Sequence, residues 1–335
     1  MKIIPGNAQH IGTRKEQQDD FGFSDLEDNT FVAHGGVFAV LADGMGGHKM
    51  GSQASRTAVR VMRKAYEAKT SSESISDALK RSLDEANQAV FKMADESGFS
   101  GDAGTTLVAA VIHKNFLYWI SVGDSHIYLI RKSDITQLNT DHVYSRELAK
   151  QVSKGRINQE EADTHPDRNA LTSSIGESKI NLIDKNNTPY PLESEDWVLL
   201  CSDGLYKTLS EKEIARTMAG TPQRVAETLV EKACLKKRTN QDNITTVILA
   251  LSNDNVSKET KASHRSFLFI SASKFLILIF LLVLLGFLIQ SNKDDLKTLF
   301  RPEQNITQLK KPVKQINNSV VTPHNKENKP LPLQD

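Results

Sequence analysis

Short apolar runs separated by polar turns dominate residues 1–252. Runs at 37–42, 105–113, 116–122, 127–131, 135–138, 197–201 and 244–251 have strand length, and Phe21 and Phe23 alternate like a half-buried strand. Two stretches follow a 3.6-residue period instead. Ala54, Ala58, Met62 and Ala65 lie on one face of a helix predicted over 52–69. Ile75, Leu79, Leu83, Ala86, Val90 and Met93 do the same over 74–95. Consecutive amphipathic helices of this kind cover one face of a sheet. A capping box at Ser210 and Glu213 opens a helix to about residue 219, and Thr221-Pro222 opens another to about 234. Residues 139–178 are polar and irregular, with a short helix at 145–152. A weakly hydrophobic insertion of that length reads as a functional lid or a mobile loop. The pattern predicts one α+β domain with antiparallel sheets over 1–252.

The pattern changes near the other end. Residues 275–289 carry no polar side chain, and extension back to 267 passes only Ser271, Ser273 and Lys274. With Lys274 reaching the interface, 267–290 is long enough for one transmembrane helix. A buried core helix would need partners. The segment after it is rich in Asn, Lys and Pro and supplies none, so 253–266 reads as a linker and 291–335 as a disordered polar tail. Basic residues flank the span on both sides, so charge does not orient it. Residues 1–7 lack the apolar core of a signal peptide. Cys201, in a strand, and Cys234, in a helix, make no disulfide framework, which fits a reducing cytosol. Net charge is +1, with 42 basic and 41 acidic residues among 335, so bulk charge suggests no nucleic-acid partner.

The candidate chemistry is acidic. The 37–42 run ends in Asp43-Gly-Met-Gly-Gly-His48, and the 197–201 run ends in Ser-Asp203-Gly. Gly123-Asp124 closes a third run, and Asp242-Asn precedes a fourth. One strand followed by Asp-Gly is an ordinary hairpin turn. Four acids at strand ends, brought side by side at one rim of a sheet, repel each other and call for cations between them. All the ligands on offer are oxygens, which suits Mg or Mn rather than Zn. Arg14, taken alone, reads as a surface cation, and Cys201 as a core residue.

These segments together resemble the metal-dependent protein phosphatases (PPM, type 2C) in their bacterial form. The matching stretches run in family order: Arg14-x-x-Gln-Gln-Asp19, Val40-Leu-Ala-Asp-Gly-Met-Gly-Gly-His48, Gly104-Thr-Thr106, Val122-Gly-Asp-Ser125, Leu199-Leu-Cys-Ser-Asp-Gly-Leu205 and Asp242-Asn-Ile-Thr245. The resemblance covers residues 5–252. It implies a β-sandwich of two antiparallel sheets flanked by helix pairs, with a metal centre at one edge. It also implies that Asp43 bridges two tightly bound Mn or Mg ions. Asp19 and the Gly44 carbonyl serve one ion, Asp203 and Asp242 the other, and Asp124 a third, weaker position. By the same resemblance Arg14 grips the substrate phosphate and 139–178 forms the flap. His48 is either a proton donor to the leaving group or a structural residue of the Gly-rich turn. Three positions depart from the family pattern: Gln17 stands for Asn, His126 for Arg, and Leu171-Thr-Ser-Ser-Ile-Gly176 for the usual flap sequence.

The activity implied is hydrolysis of phosphoserine and phosphothreonine in proteins, opposing a Ser/Thr kinase, by a monomer. Its expected place is the bacterial inner membrane, single-pass, with the catalytic domain in the cytosol. The alternative is a membrane-tethered pseudophosphatase that binds phosphoprotein without turnover. A decayed enzyme would have lost an acid, and all five are present.

Overall fold

The computed structural model describes residues 1–46, 50–99 and 101–252. The predicted segments at 253–266, 267–290 and 291–335, and His48, lie outside the described residues. Among the described residues no helix is long and apolar enough to cross a membrane.

Two antiparallel sheets face each other. The first has the order β1 (Lys2–His10), β12 (Ile244–Ser252), β11 (Trp197–Cys201), β7 (His126–Arg131), β8 (Asp134–Gln137). The second runs β10 (Tyr190–Pro191), β6 (Phe116–Val122), β5 (Leu107–His113), β3 (Val37–Met45), β2 (Asp19–Phe23), with β4 (Gly104–Thr105) on β3 and β9 (Asp184–Lys185) on β6. Side chains alternate across each strand, so β3 and β5 feed two cores at once. Ala39, Leu41, Val108 and Ala110 face the other sheet and meet Val198, Leu200, Val247 and Leu249. Phe38, Val40, Ala109 and Val111 face outward, onto α2 (Met50–Glu67) and α3 (Ile75–Glu96). That is the predicted helix pair, capped at Ser74, which accepts from the Asp77 N–H.

The other outer face is covered differently. A single long helix, α8 (Pro222–Leu235), carries Val225, Ala226, Leu229 and Ala233 onto Leu199, Ile248 and Ala250. It is joined by two short turns of helix, α6 (Asp203–Tyr206) and α7 (Glu211–Ala215). The Ser210–Glu213 capping box is formed, but α7 ends well before the expected residue 219. Thr221 caps α8 with Pro222 at its start, as read from the sequence.

Four kinds of element escaped the pattern. The edge strand β1 contains Pro5, Gly6 and Asn7, which interrupt any apolar alternation. An edge strand tolerates Pro because its outer N–H needs no partner. Gly6 permits the close approach of α8, since a Cβ there would sit 2.3 Å from the Pro222 carbonyl carbon. Two short helices, α1 (Asn29–Gly35) and α5 (Gln159–Thr164), lack an apolar stripe but are capped by Asp28 and by an Asn158–Glu161 capping box. With α4 (Tyr144–Ser153), α5 gives the 139–178 insertion more order than its composition suggests. The two-residue strands β9 and β10 are too short for any periodicity. The run 105–113 is also broken, because Thr106 leaves the ladder between β4 and β5.

Gly204 fixes the spacing between the end of β11 and the start of β12. A Cβ on it would lie 1.9 Å from the Asn243 carbonyl oxygen, which is backbone and cannot swing aside. Gly204→Ala should therefore cost about 1–3 kcal/mol of stability by overpacking. A thermal or urea melt reads it, and an unchanged midpoint would refute the close approach.

Candidate active site

The acids gather at one end of the sandwich, but not along one sheet rim as the strand pattern suggested. Asp19 and Asp43 come from the second sheet, where they are direct cross-strand partners. Asp203 and Asp242 come from the first sheet, at the end of β11 and just before β12. Asp124 follows β6 in the turn that crosses between the sheets, where Gly123 takes φ +99°. Arg14, Asp43, Gly44, Asp124, Asp203 and Asp242 line one cleft of about 340 Å³, and Asn169 and Leu171 of the insertion reach its edge. Asp19 lies behind them, buried.

Each acid is placed by backbone and hydroxyl contacts. The Asp43 N–H donates to Thr106 Oγ1 (3.0 Å), and Asp43 O accepts from the Thr106 N–H (2.9 Å) and from Thr105 Oγ1 (2.8 Å). This is why Thr106 leaves its strand: it clasps the backbone of Asp43. Asp19 Oδ2 accepts from both Ser202 Oγ and Thr245 Oγ1, each at 2.7 Å. Buried Asn243 ties the Arg14 loop to the site. Its Oδ1 accepts from the Gln18 N–H (2.7 Å), and its Nδ2 donates to Ile11 O (2.8 Å) and Glu16 O (3.1 Å). Arg14 Nη2 then reaches Asp242 Oδ2 at 2.6 Å.

The electrostatics are strained. Like charges directly opposite on paired strands are destabilising, and Asp19 faces Asp43. Burial pushes Asp19 up to about 7; the hydroxyls of Thr245 and Ser202 oppose this, and Asp203 and Asp242 add to it. Burial, then Asp19, Asp203, Asp124 and Asp242, raise Asp43 well above the usual carboxylate range. Burial also raises Asp124, with Lys207 working against it. Two buried oxygens, Asp19 Oδ1 and Asp203 Oδ1, have no hydrogen-bond partner.

Unpaired buried carboxylate oxygens are costly, and this oxygen-only donor set fits Mg or Mn. Among the described residues, however, no three His, Cys, Asp or Glu side chains already close around one point. At the rim Asp242 is paired with Arg14, and Asp203 with Lys207, whose Nζ is 2.7 Å from Asp203 Oδ2. Few carboxylates with carbonyls and waters is also the ordinary way these ions bind.

Several residues here were not singled out from the sequence. Lys207 had a legible signal, four residues after Asp203 at a helix start. Ser202, Thr245 and Asn243 act through hydroxyls and an amide, which no pattern of charge reveals. The three departures find local partners. Gln17 Oε1 accepts from the Asp19 N–H (3.2 Å). Ser174 donates through N and Oγ to Glu177 Oε1. Buried His126 lies 3.1 Å from Asp141, is hydrogen-bonded with Tyr128 (2.8 Å), and stacks on Tyr206 at 3.6 Å between centroids. Cys201 is fully buried and its thiol is pushed up by burial, as expected of a core residue.

The family profile of protein phosphatase 2C matches residues 7–247. The chain belongs to the bacterial protein phosphatase 2C family, the PPM class of serine/threonine phosphatases. It is 31% identical over 256 residues to the serine/threonine phosphatase stp of Listeria monocytogenes, covering 75% of this chain and 95% of that one. The solved serine/threonine phosphatase of S. agalactiae superposes with a TM-score of 0.64 at 27% identity, over 75% of this chain and 100% of the other. The catalytic domain of the phosphatase PstP, solved with 2 manganese ions, shares the fold at 24% identity and TM-score 0.58, over 75% and 99% of the two chains. The two antiparallel sheets that the resemblance implied are the ones the described residues form.

The raised carboxyls make the metal-free domain sensitive to pH. Between about 3.8, where an unfolded Asp ionises, and about 7, folded Asp19 holds a proton that the unfolded chain releases. Folding stability without divalent ions should then fall as pH rises through that window, and level off above it. Melts across pH in chelator should show the decline, with a shallower slope in Asp19→Asn. An equal slope in both would clear Asp19 of the effect.

Proposed function

We propose that this phosphatase hydrolyses phosphoserine and phosphothreonine in proteins with two divalent ions, Mn or Mg, held at the acid cluster. Asp43 would be shared between the ions, with Asp19 and the Gly44 carbonyl on one and Asp203 and Asp242 on the other. The observation that carries the reading is the pair of buried, unpartnered oxygens on Asp19 and Asp203, one from each sheet, with Asp203 lining the cleft and Asp19 buried behind it. When bound, the ions supply an acidified water and offset the charge that builds on the phosphoryl oxygens.

The chain's own residues do the positioning. Arg14 leans on Asp242 from the exposed rim, so it is free to turn its guanidinium to an arriving phosphate. Its planar fork suits two parallel charge-assisted bonds to phosphate oxygens, which hold the phosphorus in line for attack. Thr106 keeps Asp43 from shifting, and Ser202 and Thr245 hold one oxygen of Asp19 so that the other points away from them. No side-chain nucleophile is needed. All five acids stand at the cleft or behind it, so nothing favours the binding-only alternative.

Phosphorylated proteins, among them a Ser/Thr kinase and its targets, are the partners this reading implies. The apolar run at 267–290 supports a single-pass anchor in the inner membrane, and the two free cysteines fit a phosphatase domain on the cytosolic side.

Asp43→Asn keeps the shape but removes the charge shared by both ion positions. Turnover of p-nitrophenyl phosphate and of a phosphothreonine peptide with Mn should drop by about three orders of magnitude, roughly 4 kcal/mol of barrier. Activity near wild type would refute the assignment. The membrane reading has a separate check. The full chain should sediment with membranes and resist high salt, because burial in lipid is not electrostatic, whereas residues 1–252 should stay in the supernatant. Release of the full chain by salt alone would rule out the anchor.

A further inference from the structure

We propose that Lys207 is a tethered cation standing in for the third, weaker divalent ion, so that this chain works with two ions. The proposal rests on the two-ion reading above and concerns only the Asp124 side of the cleft. Lys207 follows Asp203 by one helical turn, and its backbone N–H bonds the Asp203 carbonyl at 2.9 Å. That turn throws its side chain back over the cleft. Nζ lies 2.7 Å from Asp203 Oδ2 and 3.7 Å from Asp124 Oδ2. Tyr206 approaches the same Asp124 oxygen, donating its hydroxyl at 3.2 Å. The Lys207 ammonium also sits 5.8 Å from the centre of the Tyr206 ring, whose π-face favours a cation.

The contrast with the other acids is what identifies the role. Asp19 and Asp203 each keep a buried oxygen without a partner. Asp124 leaves no such buried oxygen, and the chain answers its charge with Lys207 and its hydrogen-bonding with Tyr206. An ion at Asp124 would have few protein carboxylates and mostly waters as ligands, and Mg or Mn binds such sites weakly. A cation tethered by a short flexible stem competes at an effective concentration on the order of millimolar or more without ever leaving. Tyr206 is itself held by its stack on buried His126, which is anchored to Asp141 at the root of the insertion. The residue that shapes the ammonium's seat is therefore fixed before any substrate arrives.

Calorimetric titration of the full chain with Mn tests this by stoichiometry, independent of activity. Wild type should take two equivalents, with no change in number on Asp124→Asn. Lys207→Met should gain a third equivalent, about tenfold or more weaker than the first two. The double variant with Asp124→Asn should lose it again. Lys207→Gln, which keeps a polar side chain, should behave like Lys207→Met and guards against a defect specific to one replacement. A third equivalent already present in wild type and removed by Asp124→Asn would overturn the proposal, as would two equivalents in both Lys207 variants. Wild type binding no divalent ion would instead refute the two-ion reading and take this proposal with it.

Discussion

Two carboxylates facing each other across a pair of hydrogen-bonded strands set the terms for everything around them. Asp19 and Asp43 share a register position on β2 and β3, and Asp203, Asp242 and Asp124 approach from the other sheet and the crossing turn. Such a cluster opposes folding unless something compensates it. The hydroxyls of Ser202 and Thr245 satisfy half of Asp19, and Thr106 pins Asp43 from below. Arg14 and Lys207 supply positive charge from the rim. Two buried oxygens, Asp19 Oδ1 and Asp203 Oδ1, stay without a hydrogen-bond partner. The two sheets, with apolar cores on three levels, act as a rigid frame that holds like charges closer than they would choose.

The sequence carried the long elements well, because their burial imposes a period. β3, β5, β6, β11, β12, α2, α3 and α8 each have a face or two faces closed off from water, and the pattern of apolar residues says so. What it did not carry was structure specified by backbone bonding or by a single cap. β1 is held by its ladder to β12 despite Pro5, and α1 and α5 by one or two side-chain caps with almost no apolar face. The site divides in the same way. Four of its acids were legible because the same strand-end setting recurs, and Asp19 through the family resemblance. That they would come from both sheets was not, since no local pattern states which strands face each other. Ser202, Thr245, Asn243 and Tyr206 were silent because hydroxyls and amides are common everywhere, and only their neighbours give them a task.

The insertion at 139–178 joins the site by two separate routes. Asn169 and Leu171 border the cleft directly. Asp141, at its root, connects through His126 and Tyr206 to Asp124. The replacement of the family's usual Arg by His126 is therefore not a loss of a cation into solvent. It exchanges a long flexible charge for a flat ring that packs tightly between Tyr206 and Tyr128. Stiffness replaces reach at that position.

The ladder between the first and last strands has a consequence for how the domain meets its surroundings. Lys2 pairs with Ser252 at one end of this ladder and His10 with Ile244 at the other. Ile244 follows the acids at Asp242, so the chain leaves the domain eight steps further along, about 27 Å away at 3.4 Å per residue. Both ends of the folded domain thus emerge at the pole opposite the catalytic mouth. The open cleft is therefore clear of both Lys2 and Ser252.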